Sequence, residues 1–373
     1  MSDWILTPEN LKNIKFALSL ISSVINESSP KEPDFEPDWE YIFKFTKSHN
    51  VDNTIFYAIE QLKNKPEPGL LKEWMDIRNK CIHRNMIQRE EFDAICSAFE
   101  ENKIEYLPVK GFEVSRLYPY EDIRYMSDLD ILIKDNRDKA TEILLEKGYT
   151  LKKDGVDYDQ PLTKMPFMVV ELHNNLFPKY SPYRSFFENI FSKCEKNGCR
   201  YNMSGEDFYV YETVHLYKHY AGSGSGVRSI MDFYFINKKI KPKLNEDTIN
   251  KNLKLLELDE FSKQTADLTD KWFEKNDFEN FSDEELYILT SGTYGTMEHM
   301  IKNRREKNSR SGYFLSRIFP SKSIMFERYP KLNKRPLLLP FYYIYRPINA
   351  VVFKNKKIIA ELKILKNNKK TKA

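Results

Sequence analysis

Residues 107–133 read LPVKGFEVSRLYPYEDIRYMSDLDILI, and this stretch decides the fold of the chain. From Asp128 to Ile133 acidic and apolar residues alternate, which predicts a β-strand. Successive side chains on a strand point to opposite faces, so Asp128 and Asp130 share one face and Leu129 lies on the other. Two carboxylates on one face repel each other unless a cation lies between them. The stretch therefore predicts a divalent-metal site, with Mg²⁺ or Mn²⁺ as the expected ion.

A third carboxylate is expected on a neighbouring strand. The segment 167–173 is short and mostly apolar, which predicts a second strand, and Glu171 lies within it. If the two strands are adjacent, Asp128, Asp130 and Glu171 converge and complete a two-metal site. His173 shares a face with Glu171, and we interpret it as a histidine that packs in the core or supports a metal-binding residue, in preference to a general base. A D-x-D pair alone is a weak signal, because many surface strands carry one.

Upstream of the acidic pair, a short apolar strand over 104–109 ends at Lys110-Gly111, 17 residues before Asp128. A glycine at the start of a helix lets backbone N–H groups approach a phosphate closely, which makes Gly111 a candidate phosphate contact. Lys110 fits either a phosphate contact or an ordinary exposed lysine. Arg124, four residues before Asp128, fits either a phosphate contact or an ion pair with one of the two aspartates.

Helical patterns surround this region. Apolar residues at steps of three and four predict a long helix over 70–101, and residues 135–147, 205–220 and 226–240 are also helical in pattern. Asp154-Gly155 predicts a turn between two extended segments. The predicted fold class is α+β, with a small mixed-sheet core between helical regions. The expected domains are 1–102 (helical), 103–180 (α/β core), 181–310 (helical) and 311–373 (a basic, aromatic segment).

Composition fits a globular protein: 41% of the residues are hydrophobic and 14% aromatic, which argues against global disorder. Cys81 and Cys96 are isolated, and the Cys194–Cys199 pair lacks a second pair, so we expect free thiols and no zinc site. No run approaches the roughly 20 apolar residues of a membrane span, and the N-terminus resembles no signal peptide. We therefore expect a cytoplasmic protein.

Charge is distributed unevenly along the chain. Residues 311–373 carry 15 Lys and Arg against two Glu, a net charge of +13, so the other 310 residues sum to −9. Aromatic residues next to lysines, as in PLLLPFYYIYRP and the lysine-rich end, suit peripheral contact with a membrane surface. Nucleic acid is a less favoured partner, because no RNA-binding motif accompanies them. The interpretation favoured over membrane contact is a C-terminal segment docked on the protein body, with a frayed polybasic end.

The opening stretch resembles the signature of the uncharacterised nucleotidyltransferase family, within the DNA polymerase β-like superfamily. The signature comprises a Lys-Gly pair, an aromatic-Pro pair, an arginine and a D-[IL]-D strand, found here at Lys110-Gly111, Tyr118-Pro119, Arg124 and 128–130. The downstream VELHNNL resembles the family's E-L-H strand, which implies that Glu171 is the third carboxylate. One departure is Phe112, since the superfamily usually has Gly-Gly or Gly-Ser before the acidic pair.

The resemblance implies a metal-dependent nucleotidyltransferase that moves a nucleoside monophosphate from an NTP, with ATP the first choice, to an acceptor. A small molecule or sugar is the favoured acceptor, for example in surface-polysaccharide synthesis. A toxin-like enzyme acting on tRNA or protein is one alternative, and a non-catalytic nucleotide-binding scaffold is another. The resemblance also implies that four residues bind nucleotide or acceptor, although a helix-capping network with an Arg228–Asp232 pair would explain them too: Lys218, His219, Arg228 and Asp232.

Overall fold

The N-terminal part of the chain consists of four helices. The structure is a computed structural model that describes residues 6–152, 159–306, 320, 322–329, 332 and 335–353. The helices are α1 (Pro8–Ile25), α2 (Trp39–Ser48), α3 (Asp52–Ile59) and α4 (Pro68–Glu101). Helix α1 begins where the Thr7 side chain accepts a hydrogen bond from the Asn10 N–H, with Pro8 in its first turn. Helix α4 confirms the long helix predicted over 70–101.

A mixed sheet follows the helices. Its strands are β1 (Tyr106–Val109), β2 (Leu129–Ile133), β3 (Thr150–Leu151), β4 (Asp159–Lys164), β5 (Met168–His173), β6 (Glu195–Asn197) and β7 (Arg200–Asn202). Their order across the sheet is β3-β4-β5-β2-β1-β7-β6. Helices α5 (Gly111–Ser115) and α6 (Arg137–Glu146) lie in the connections around β2. The sheet takes β6 and β7 from beyond residue 180, and the Asp154-Gly155 turn lies outside the described residues.

The register of the sheet fixes the position of the acidic strand. Strand β2 is parallel to β5 with Asp130 opposite Glu171, and antiparallel to β1 with Val109 opposite Asp130. Leu129 and Ile131 belong to an apolar core formed with α4 and α6. Because side chains alternate along a strand, Asp130 lies on the other face of the sheet.

Helices make up most of the remaining chain. They are α7 (Arg184–Phe187), α8 (Gly205–Tyr220), α9 (Val227–Phe235), α10 (Glu246–Leu255), α11 (Asp259–Thr269), α12 (Asp283–Ser291), α13 (Met297–Glu306), α14 (Lys322–Arg328) and α15 (Leu339–Phe353). Ser282 and Glu285 form a capping box at the start of α12. Of the helices in the described ranges, none combines the length and the apolarity that crossing a bilayer requires. The predicted α+β fold with helical flanks is confirmed.

The N-terminal and C-terminal helices share one core. Trp74 and Phe45 from the N-terminal helices are fully buried in the same apolar cluster as Tyr209, Phe235 and Trp272 from the C-terminal helices. Burial of side chains of this size dominates the energetics of a core. The two helical regions, distant in sequence, therefore stabilise each other.

A buried histidine links the same two regions through polar contacts. His49, at the end of α2, accepts a hydrogen bond at Nδ1 from the Val227 N–H (3.1 Å), and its Nε2 lies 3.1 Å from the Leu289 carbonyl oxygen. With Nδ1 accepting, Nε2 carries the proton and donates, so the ring is neutral. Burial lowers the pKa of His49 from 6.5 to about 4, which agrees with this tautomer. The ring therefore joins α2 to the first residue of α9 and to α12.

Candidate active site

A cavity of about 310 Å³ separates the sheet from helices α8 and α9. All ten residues that sequence reasoning singled out line this cavity, and none of them lies elsewhere: Lys110, Gly111, Arg124, Asp128, Asp130, Glu171, Lys218, His219, Arg228 and Asp232. Asp128, Asp130 and Glu171 lie on the sheet side of the cavity, and Lys218, His219 and Arg228 lie on α8 and α9. We call these two groups the acidic wall and the basic wall of the cleft.

The acidic wall is built on the paired strands β2 and β5. Asp130, Glu171 and His173 each offer one ligand atom, and these three atoms lie within 4.8 Å of one another. His173 Nε2 is 2.8 Å from Asp130 Oδ1 and 3.7 Å from Glu171 Oε2. Two carboxylates and an imidazole at this spacing match the donor set of a divalent cation. His173 therefore contacts the candidate metal-binding acids, as expected of a histidine that supports such residues.

Asp128 lies one residue before β2 and lines the same cavity. Its carboxylate accepts a hydrogen bond of 2.8 Å from the Ser127 hydroxyl. Burial, followed by repulsion from Asp130, raises the pKa of Asp128. The Asp128 carboxylate is therefore close enough to Asp130 for the two charges to repel. It does not belong to the group of three ligand atoms described above, which come from Asp130, Glu171 and His173.

The acids are under different electrostatic influences. Burial and then the charges of Asp130 and Asp128 raise the pKa of Glu171 to about 7. Burial also acts to raise the pKa of Asp130, but Lys110 and His173 outweigh it and hold this pKa below its ordinary range. Crowded carboxylates of this kind are typical of sites that receive a cation.

Lys110 is the positive charge nearest to the acidic wall. Its ammonium donates to Asp130 Oδ1 at 2.6 Å, and its side chain is 21% exposed, so neither predicted alternative describes the contact it makes here. The backbone of Lys110 has φ 60° and ψ −132°, a conformation that favours glycine. Such backbone strain costs about 1–3 kcal/mol and is concentrated at functional sites.

Arg124 and Asp232 form a self-contained ion pair deep in the cleft. Arg124 Nε and Nη2 donate to the two oxygens of Asp232 at 2.7 and 2.8 Å, and the Tyr118 hydroxyl donates to Oδ1 at 2.7 Å. One of the two alternatives for Arg124, an ion pair with Asp128 or Asp130, is therefore wrong, and so is the alternative Arg228–Asp232 pair. The pair uses two of the five N–H donors of Arg124 and balances the charge of its guanidinium.

A steric reason, in addition to the predicted phosphate contact, explains why position 111 is a glycine. A Cβ at this position would lie 2.8 Å from Arg124 Nη1, closer than real Cβ atoms approach. Phe112, the departure from the superfamily pattern, packs its buried ring against Phe92 with 3.9 Å between ring centroids. Lys110 thus supplies a positive charge, Gly111 leaves room for the Arg124 guanidinium, and Phe112 supplies a core side chain.

The basic wall comes from α8 and α9. Arg228 donates to the Tyr125 carbonyl oxygen at 3.1 Å, and its buried Nε has no hydrogen-bond partner among the described residues. Burial and then the positive charge of Arg124 lower the pKa of Arg228. Burial and then the positive charge of Lys110 lower the pKa of Lys218. Burial and then Lys218 lower the pKa of His219 to about 4. Positive groups held close together in this way favour an anionic ligand.

Sequence reasoning did not assign several residues of the cleft, among them Glu212 and His215. Burial and then Asp232 raise the pKa of Glu212 to about 8, and within the described part of the chain its Oε1 has no hydrogen-bond partner. His215 Nε2 lies 3.2 Å from His219 Nε2. Positions 212, 215 and 219 fall on one face of α8, so the helical spacing was a signal that could have identified both.

A second cavity, of about 360 Å³, lies between α8, α9, α11 and α12. It shares Leu216 and Ser225 with the cleft, but its lining includes none of the ten predicted site residues among those described. The chemistry is therefore assigned to the cleft between the sheet and α8–α9.

Comparison with known proteins agrees with the geometry of the cleft. The family described as "Uncharacterised nucleotidyltransferase" matches residues 36–274, which is more than half of the chain and includes every predicted site residue. Searches of curated proteins and of solved structures found no match. On the length of the match, and with the cleft inside it, this chain belongs to the uncharacterised nucleotidyltransferase family.

Proposed function

We propose that the protein is a metal-dependent nucleotidyltransferase that transfers a nucleoside monophosphate from an NTP to an acceptor and releases pyrophosphate. The observation that carries the proposal is that Asp130 and Glu171 face the same cavity as Lys218 and Arg228. A nucleoside triphosphate with a divalent cation complements both walls, because the cation binds carboxylates and the phosphates bind positive groups.

In the proposed reaction, an acceptor hydroxyl oxygen forms a bond to the α-phosphorus of the NTP. The bond from that phosphorus to the oxygen bridging to the β-phosphate breaks, and pyrophosphate leaves with the electron pair. Glu171 is the proposed acceptor of the hydroxyl proton, because burial and then the charges of Asp130 and Asp128 raise its pKa to about 7, which suits a general base near neutral pH. Chemistry of this kind depends mainly on positioning and on charge neutralisation.

Asp128, Asp130 and Glu171 are the residues proposed to hold the metal, and His173 adds a nitrogen to the same set. When bound there, a divalent cation would neutralise the charge of the triphosphate and lower the pKa of the attacking oxygen. Mg²⁺ prefers an all-oxygen set, whereas an imidazole nitrogen favours a transition-metal ion. We therefore propose that Mn²⁺ supports the reaction at least as well as Mg²⁺.

A small molecule or sugar remains the proposed acceptor, since the cavity volume of about 310 Å³ lies at the lower end of the range for small-molecule sites. A scaffold protein would be expected to close its cleft with ion pairs between Arg124 and the metal-binding acids. Arg124 pairs with Asp232 instead, which favours the enzyme over the scaffold.

A thermal-shift panel tests the proposal. ATP, GTP, CTP and UTP are added to the wild type and to Asp130→Asn, each with and without Mn²⁺ or Mg²⁺, because a ligand of the native state raises the melting temperature. We expect one NTP to stabilise the wild type only when metal is present, and to have no such effect on the variant. If no NTP shifts the wild type at millimolar concentration, the proposal is rejected.

A further inference from the structure

Asp130 Oδ1, the oxygen at the centre of the acidic wall, already has two partners. Lys110 Nζ lies at 2.6 Å and His173 Nε2 at 2.8 Å, and the Asp130 side chain is only 4% exposed. A divalent cation would bind such an oxygen at about 2.1 Å. The ammonium and a metal ion therefore cannot both make their closest approach to this atom.

The backbone shows that the chain holds the ammonium there at a cost. Lys110 directly follows Val109, the register partner of Asp130, and it adopts the positive φ that glycine accommodates without strain. A glycine would satisfy the turn, so the turn does not explain the lysine. The contact of the side chain explains the lysine, because this conformation directs the ammonium at Asp130.

We propose that Lys110 is an exchangeable counter-ion: its ammonium and the divalent metal compete for Asp130, and the phosphates of the nucleotide relieve the competition by drawing the ammonium away. This inference rests on the proposed function. Metal and nucleotide then enter the cleft together, and each strengthens the binding of the other to the same degree. Metal alone binds weakly.

The surroundings of Lys110 allow the exchange. Its side chain has a flexible four-carbon stem, and it lines the same cavity as Arg228 and Lys218, where the phosphates are proposed to lie. Once the ammonium moves, Asp130 loses its nearest full positive charge. Its carboxylate, together with Glu171, is then available to the metal.

Titration of the full-length protein with Mn²⁺, followed by the electron paramagnetic resonance signal of the free ion, measures the competition directly. The key variant is Lys110→Met, which removes the charge and keeps most of the side-chain volume. Lys110→Gly is the second variant, since glycine suits the backbone and keeps the test valid if the methionine variant fails to fold. Lys134→Met is the matched control, because it breaks a 2.7 Å lysine–carboxylate contact with Glu105 outside the cleft.

Without nucleotide, we expect Lys110→Met and Lys110→Gly to bind Mn²⁺ about tenfold more tightly than the wild type, within the roughly 5- to 150-fold range of coupling between ligands. The control should match the wild type. Adding the NTP selected by the thermal-shift panel should tighten Mn²⁺ binding strongly in the wild type and much less in the Lys110 variants.

Two results overturn the inference in distinguishable ways. If Mn²⁺ binds with equal or lower affinity once Lys110 is replaced, the exchange is rejected while the proposed function stands. If neither the wild type nor any variant binds Mn²⁺, with or without NTP, both are rejected together.

Discussion

Two buried groups of charged side chains lie within one cleft, and they differ in how completely they are neutralised. Arg124, Asp232 and Tyr118 form a closed set in which each carboxylate oxygen of Asp232 has a donor at 2.7–2.8 Å. The acidic wall instead sets several carboxylates against one ammonium and one imidazole, and the pKa of Glu171 rises to about 7.

This difference distinguishes structural charges, which stabilise the fold, from functional charges, which bind a ligand. A closed pair satisfies its own hydrogen bonds, so its removal should damage the fold more than ligand binding. An acidic group that is incompletely neutralised is costly to the fold unless a cation binds it, which points to a ligand site. Four substitutions test this separation.

The largest effect is expected for Asp130→Asn. Removing one electrostatic group at a reaction centre costs about 10²–10³ in rate, and we expect the upper end of this range. Pyrophosphate release measures the activity. The amide oxygen of asparagine still accepts hydrogen bonds, and Lys110 keeps the negative charge of Asp128 nearby, so the melting temperature should change little. A large fall in the melting temperature would show that Asp130 belongs with the structural charges.

Asp232→Asn should reduce the stability of the fold strongly and leave metal binding unchanged. It leaves the buried Arg124 guanidinium without its counter-charge, and breaking a buried pair costs about 3–5 kcal/mol of folding free energy. Chemical denaturation measures the loss, and Mn²⁺ affinity at a temperature where the variant is folded should equal that of the wild type. A stable variant that no longer binds nucleotide would instead support the ligand-binding role implied by the family resemblance.

Gly111→Ala should act on the closed pair through sterics alone. The new methyl group would lie 2.8 Å from Arg124 Nη1, a guanidinium that Asp232 holds in place. Overpacking of this kind costs about 1–3 kcal/mol. Combining the change with Asp232→Asn in a double-mutant cycle measures the coupling. Strictly additive effects would contradict the steric explanation.

The smallest effect concerns Glu212, whose pKa rises from 4.5 to about 8 in the fold. Between these pH values the folded state binds the proton more tightly than the unfolded state, so the stabilisation is present at low pH and lost as the pH rises. Relative to the wild type, we expect the melting temperature of Glu212→Gln to rise by roughly 1–2 °C between pH 5 and 8, the shift that about 1 kcal/mol produces in a chain of 373 residues. A difference that is flat across this range would contradict a buried, protonated Glu212.

Local pattern was sufficient to predict much of this site. Alternation around Asp128 predicted β2, helical spacing predicted α8, and the predicted strand 167–173 placed Glu171 where the register pairs it with Asp130. These predictions succeeded because each rests on the geometry of one element and one pairing of strands.

The partners of the charged residues could not be predicted from local sequence pattern. Arg124 and Asp232 are 108 residues apart, and their contact depends on how α9 docks against the sheet. The role of His173 depends on a distance of 2.8 Å to Asp130 across neighbouring strands. Periodicity carries no information about packing between distant elements, so spacing suggested the local Arg228–Asp232 pair, which the structure does not form.

The neutral ring of His49 has a consequence for how small this protein could be made. It holds the first residue of α9, and the next residue, Arg228, lies on the basic wall of the cleft. The N-terminal helices thus help to position the basic wall of the cleft, although they carry none of the predicted site residues. A shortened protein beginning at residue 103 would lose this anchor together with the N-terminal part of the shared core, so we expect the cleft to form only when the first hundred residues are present.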